Sequence, residues 1–218
     1  LPLKMSETSQ EGFDLDENVC FLKVENPKYG TLDCDRSKWE VVFCNSDEKN
    51  AVSEPNGDKG GVGCLFDDDI NSYWHANWSG GTNNDDQFPQ LFQGGREMPI
   101  TIVVDMKESL IVHSIGWTQR QNSDYQDTKK VEYYVSDDEQ FKLGGKEDYS
   151  PVALNNWTFV MERSYQKGYN ATQWQTQSEE VLQKKVKGHL LKVKIVEGYR
   201  DRLASGAELY VKQLLAID

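Results

Sequence analysis

Nowhere does the chain hold a run of about 18 apolar residues, which excludes a membrane-spanning helix. Basic residues are the minority: 24 Lys and Arg face 36 Asp and Glu, for a net charge of -12. Nucleic-acid binders meet phosphates with a basic face, and anionic lipid attracts the same sign. Neither nucleic acid nor membrane insertion is therefore expected. Cysteine is scarce. Cys20, Cys34, Cys44 and Cys64 all lie in the first third, without a CxxC or the Cys–His spacing of a zinc site. A disulfide in an oxidising compartment and free buried thiols are both open. Convincing helical periodicity is absent, as are a Ser–His–Asp ordering, a P-loop and an HExxH. Glycosidase chemistry needs a placed pair of carboxylates, and abundant acids are not a constellation, so no catalysis is expected. No signal peptide is visible. The chain opens at Leu1-Pro2-Leu3 without an initiator Met and is expected to be a piece of something longer.

What the chain does hold is β pattern. Its 218 residues suffice for one large all-β domain with a real core. Strand-like runs fall at 39–43, 100–106, 110–117, 131–135, 157–161, 190–196 and 208–214, separated by Gly, Pro, Asn and Asp. The run at 100–106 is nearly continuous apolar and suits a buried strand. Residues 181–186 are ambiguous, and 179–187 has room for a short turn ended by Gly188. Two further runs, 1–5 and 19–24, are too few for a domain. Many short strands with turn signals between them predict a sandwich or jelly roll. The segment 79–99, with Phe88 and Phe92, is long enough to suggest a functional loop.

Residues 65–78 concentrate the polar and aromatic chemistry. Asp67, Asp68, Asp69, Asn71 and Ser72 fall within six positions, and Trp74, His75 and Trp78 follow. The plain reading is an acidic turn leading into a strand anchored by Trp74. The sharper one is a loop around a hard cation, with a binding face beginning at Trp74.

Several segments then fall in one order: Trp39, Phe66-Asp67-Asp68-Asp69-Ile70-Asn71-Ser72-Tyr73-Trp74-His75, Ile102-Val103-Val104-Asp105-Met106, Ile115-Gly116-Trp117-Thr118-Gln119-Arg120-Gln121-Asn122, Val131-Glu132-Tyr133-Tyr134-Val135 and Ala207-Glu208-Leu209. Together they resemble the discoidin, or coagulation factor 5/8 type C, domain. The likeness is greatest to the bacterial branch grouped as family 32 carbohydrate-binding modules, and it covers 36–218. It implies an eight-stranded antiparallel jelly-roll β-sandwich with a ligand cleft at one loop end. Residues 1–35 would then be a separate segment, similar to the closing strands of a preceding immunoglobulin-like domain. The eukaryotic disulfide between the domain ends is missing, which favours a bacterial surface or secreted protein of several domains.

The resemblance also implies a structural calcium. Calcium takes six to eight oxygens. By position the carboxylates would be Asp67 and Glu208 and the hydroxyl Ser72, where the family has Thr. Main-chain oxygens would come from Cys64, Asp69, Ser72 and Ala207. Asp68 departs from the family's Gly; if that position needs φ > 0, Asp tolerates it better than most residues.

For a galactose-type or N-acetylated sugar, the resemblance implies His75 and Arg120 as hydrogen-bonding residues. Two departures follow: Tyr125 stands where the family has Asn, and Leu203 where it has a stacking aromatic. Trp78, Tyr125 or Tyr199 are the replacement platforms. His113 and His189 sit within strand patterns and read as structural. The expected function is a non-catalytic, weakly binding glycan module of a larger exported protein. The alternative is a protein- or lipid-binding adhesion module of the discoidin type.

Overall fold

A computed structural model describes residues 28–48, 61–78, 97–138, 156–200 and 202–217. Ten strands are present among them: β1 (Lys28–Asp33), β2 (Glu40–Cys44), β3 (Trp74–His75), β4 (Ile100–Thr118), β5 (Thr128–Ser136), β6 (Thr158–Ser164), β7 (Gln173–Thr176), β8 (Lys187–Gly198), β9 (Ser205–Gly206) and β10 (Glu208–Ile217). Eight of them pair antiparallel into one curled arrangement, and β3 with β9 forms a separate two-stranded pair. This is the expected eight-stranded antiparallel sandwich.

Strand β4 is its spine. The expected strands 100–106 and 110–117 are one continuous element. Its first half pairs with β2 and β8, and its second half with β10 and β7. The register shifts between Asp105 and Leu110, where Lys107 has φ 66 and its N–H donates to Asp105 Oδ1. That irregularity turns the strand from one layer, β2-β4-β8-β5-β6, into the other, β1-β10-β4-β7. Residues Ile100, Ile102, Val103 and Val104 are fully buried, as a strand covered on both faces requires. On the neighbouring strands the apolar residues alternate. Val131, Tyr133 and Val135 of β5 and Leu191, Val193 and Ile195 of β8 are buried. Between them, Glu132 and Lys194 form a cross-strand ion pair at 2.8 Å.

Trp74, Trp117, Tyr133 and Tyr165 are the bulkiest fully buried side chains. The two tyrosine hydroxyls satisfy each other at 2.8 Å. Gly206 is required beside Trp117, because a Cβ there would lie 2.2 Å from the indole ring. Cys44 belongs to the core and Cys34 packs on its edge, and Cys64 is buried as well.

Two readings need correction. The boundary at residue 36 cuts through the sandwich, because β1 pairs with β10 from Lys28↔Ile217 to Asp33↔Lys212. An edge strand with few apolar residues carries no alternation to read, and Leu32 is exposed. The stretch 179–187, read as having room for a short turn, holds a short helix, α1 (Glu179–Gln183), N-capped by Ser178, but Gly188 does not end it and lies within β8. The chain reverses after α1 at Lys185, φ 48. The runs 1–5 and 19–24, Cys20, Phe88 and Phe92 lie outside the described residues.

Candidate functional site

The acidic loop is built from turns that its own side chains close. Asp67 Oδ1 accepts the Asp69 N–H at 3.0 Å and Oδ2 accepts the Ser72 hydroxyl at 2.7 Å. Asp69 Oδ1 accepts from the Asn71 main chain and side chain, and the Ser72 N–H bonds the Asp69 carbonyl. Asp68 has φ 60, so this position does need the left-handed region that the resemblance filled with glycine. Short polar side chains accept that conformation at low cost.

Glu208 opens β10 directly behind this loop and is fully buried. Its partner is Arg36, in the 3-10 turn Arg36–Lys38 that follows β1. Arg36 Nη1 donates to Glu208 Oε2, to the Leu65 carbonyl at 3.2 Å and to the Leu209 carbonyl at 3.0 Å. Nη2 donates to Asp68 Oδ1. The guanidinium lies 4.0 Å from the Tyr210 ring centroid, within cation–π range. Burial pushes the Glu208 carboxyl up to about 7, with Arg36 pulling against it. Glu208 Oε1 has no hydrogen-bond partner.

The expected calcium set is thus gathered in one region, but its oxygens are arranged for other partners. Asp67 and Ser72 bond each other, the Asp69 carbonyl serves Ser72 N–H, and Glu208 shares one oxygen with a cation already there. Among the buried side-chain oxygens of the set, Glu208 Oε1 is the one without a hydrogen-bond partner. Among the described residues no group of three or more His, Cys, Asp and Glu is placed to hold a metal. As arranged, the set does not fit a shell of six to eight oxygens.

The second half of the stretch forms a different corner. Trp74 points inward, fully buried, and its Nε1–H donates to the Ser46 carbonyl at 3.2 Å. Tyr73 and His75, one residue to either side, face the other way, as strand alternation dictates. Arg120, two residues past the end of β4, meets both. Its Nη1 contacts His75 Nε2, and its Nη2 donates to the Tyr73 hydroxyl at 2.9 Å. The guanidinium stacks 3.9 Å from the Tyr73 ring centroid, and Nε donates to Asn122 Oδ1. Burial, then the Arg120 charge, hold His75 down at about 3, so its ring is neutral at neutral pH. A guanidinium can only donate, so Nε2 is the accepting nitrogen and Nδ1 carries the proton.

Beside this corner lies a polar depression of about 290 Å³, lined by residues that include Arg120, Asn122, Asp124, Gly168 and Asn170. The structure therefore brings the expected pair, His75 and Arg120, into contact at its edge. Tyr125 is half exposed, with the Arg200 guanidinium 3.6 Å from its ring centroid. Tyr199 is anchored instead: its hydroxyl donates to the Tyr165 carbonyl at 2.9 Å. Trp78 is exposed, and its N–H donates to Glu48 Oε2 at 2.8 Å. Leu203 packs against the core, so that position offers no platform. His189 bonds Asp137 at 3.3 Å, and His113 is a half-buried β4 residue.

Sequence reasoning missed Arg36, Tyr73 and Asn122. Arg36 sits in a polar segment, Asp35-Arg36-Ser37-Lys38, that carries no burial signal. Tyr73 is betrayed only by alternation about Trp74. Asn122 brings beside Arg120 the amide expected at position 125.

No family model and no curated protein matches the chain. Solved structures do. The C-terminal domain of a chitobiase from Bacteroides fragilis superposes with a TM-score of 0.60 at 17% identity, covering 86% of this chain and 100% of that one. A family 32 carbohydrate-binding module from Clostridium perfringens NanJ, in complex with galactose, gives 0.55 at 18% identity, over 84% and 99%. The Clostridium perfringens module CpGH89CBM32-5, in complex with GalNAc-β-1,3-galactose, gives 0.57 at 17% identity, over 83% and 99%. The chain therefore has the discoidin-type, galactose-binding-like β-sandwich fold of the family 32 carbohydrate-binding modules.

Proposed function

We propose that the chain is a non-catalytic carbohydrate-binding module that takes a galacto-configured or amino-sugar glycan at the corner of Tyr73, His75, Arg120 and Asn122. The observation that carries this reading is the contact between His75 and Arg120 at the rim of the polar depression. His75 Nε2, Tyr73 and Asn122 hold the guanidinium in one orientation. The guanidinium, at the rim of the depression, then donates to adjacent sugar hydroxyls, and Tyr125 supplies an aromatic face for the pyranose. Such a contact buries little area, so the affinity lies on the order of micromolar to millimolar. One carboxylate, Asp124, lines the depression among the described residues, whereas glycoside hydrolysis needs two. We place the module in a larger exported protein of bacterial type, in keeping with solved neighbours that are domains of Bacteroides and Clostridium proteins.

A glycan array followed by titration calorimetry tests the reading. Binding to galactose- or N-acetylgalactosamine-terminated glycans, lost in Arg120→Ala, is the expected result. Folded protein that binds no such glycan overturns it.

A further inference from the structure

We propose that Arg36 is a built-in cation that takes the place of calcium in this sandwich, tying the acidic loop to the start of the last strand. The inference is independent of the glycan reading. Its basis is the position of one side chain. Arg36 is only 7% exposed, and its guanidinium joins three segments that are remote in sequence. These are its own turn after β1, the loop of Leu65 and Asp68, and the first two residues of β10, Glu208 and Leu209. A calcium ion at the expected site would join the second and third of these. The arginine makes the same connection with donors instead of empty coordination sites, and it meets the same oxygen types, carboxylate and main-chain carbonyl.

The surroundings suit a guanidinium. A planar fork distributes its N–H groups over separate acceptors, here two carboxylates and two carbonyls. The Tyr210 ring covers it at 4.0 Å, a contact that offers calcium no oxygen. A divalent ion bound at Glu208 would stand beside this fixed positive charge and repel it. The ligands expected for that ion, Asp67 and Ser72, already satisfy each other. The chain thus keeps the acidic loop and the distant glutamate and supplies the positive charge covalently.

The test uses the full chain. After gel filtration in calcium-containing buffer, elemental analysis is expected to find no stoichiometric calcium, and EDTA to leave Tm unchanged. Arg36→Met is expected to lower Tm on the order of 10 °C. Glu208→Gln is expected to lower it too, with the double variant losing less than the sum, because both changes remove one interaction. About one calcium per chain together with an EDTA-sensitive Tm overturns the proposal, and so do strictly additive losses. Should Arg36→Met fail to fold, the calcium content and EDTA response of the unaltered chain decide alone.

Discussion

Two arginines of this protein are built alike and used differently. Arg36 and Arg120 each stack on a tyrosine, at 4.0 and 3.9 Å. Each also reaches across the sandwich to a loop far away in sequence. Arg36 meets two carboxylates and two main-chain carbonyls and is nearly inaccessible. Arg120 hydrogen-bonds an imidazole, a phenol and an amide, feels the buried Asp127 carboxyl electrostatically, and is only partly covered. A guanidinium whose charge is compensated in a closed site is a structural tie. One oriented by an imidazole, a phenol and an amide at the edge of a depression is placed where a ligand can reach it. The partners, more than the arginine, separate the two roles.

The largest expected effect breaks the first corner. Removing one member of a buried ion pair strands the other charge and costs about 3–5 kcal/mol. Arg36→Met should therefore destabilise strongly while leaving glycan affinity unchanged in the folded fraction, as a denaturant titration and calorimetry would show together. A parallel loss of affinity would mean that the corners are not separate.

Arg120→Met should do the reverse. Loss of a charged hydrogen-bond donor, about 1.5–3 kcal/mol, weakens glycan binding by roughly ten- to hundredfold. Because Arg120 is partly exposed, the Tm should move by only a few degrees. A variant that unfolds would put Arg120 in the same class as Arg36.

The neutral partner can be tested by pH. His75 titrates at about 3 in the folded protein against 6.5 ordinarily, so between those values the unfolded chain binds more protons. Stability is then full above about 6.5 and falls as pH drops toward 3. Glu208, raised to about 7, contributes with the opposite sign between about 4.5 and 7 in both chains, so Tm should fall more steeply with acid in the parent than in His75→Gln, the difference between the two curves being the His75 contribution. Glycan binding should stay flat between about pH 5 and 8, whereas an ordinary histidine would change charge there. Binding that falls at an ordinary histidine pKa would refute the neutral ring.

Smallest is Tyr125→Ala. Its half-exposed ring contributes one stacking contact, on the order of 1 kcal/mol. A few-fold loss of affinity with no change in Tm is expected, and no loss at all would move the platform to Trp78.

The sandwich was legible because its signals are local. Alternation at 131–135 and 190–196, and the apolar run at 100–106, each report a strand through neighbours one or two positions away. The order of the motifs around Asp67, Trp74 and Glu208 reported the fold, and the non-glycine left-handed position at Asp68 was legible for the same reason. The pairing of His75 with Arg120 could be read only through resemblance. Edge strand β1 carried no pattern at all, because its order comes from hydrogen bonds to β10 and owes little to apolar side chains.

Sequence by itself therefore determined strands β2, β4, β5, β6, β8 and β10, the inward tryptophan and the acidic turn, since each depends on periodicity or on a preferred backbone conformation. Tertiary structure alone decided which cation faces Glu208. Arg36 stands 172 positions away, in a stretch whose composition reads as solvent-facing. Only the pairing of the first strand with the last carries it to a buried carboxylate. Burial is a property of the assembled layers, and it turned an ordinary polar residue into the tie at the acidic loop.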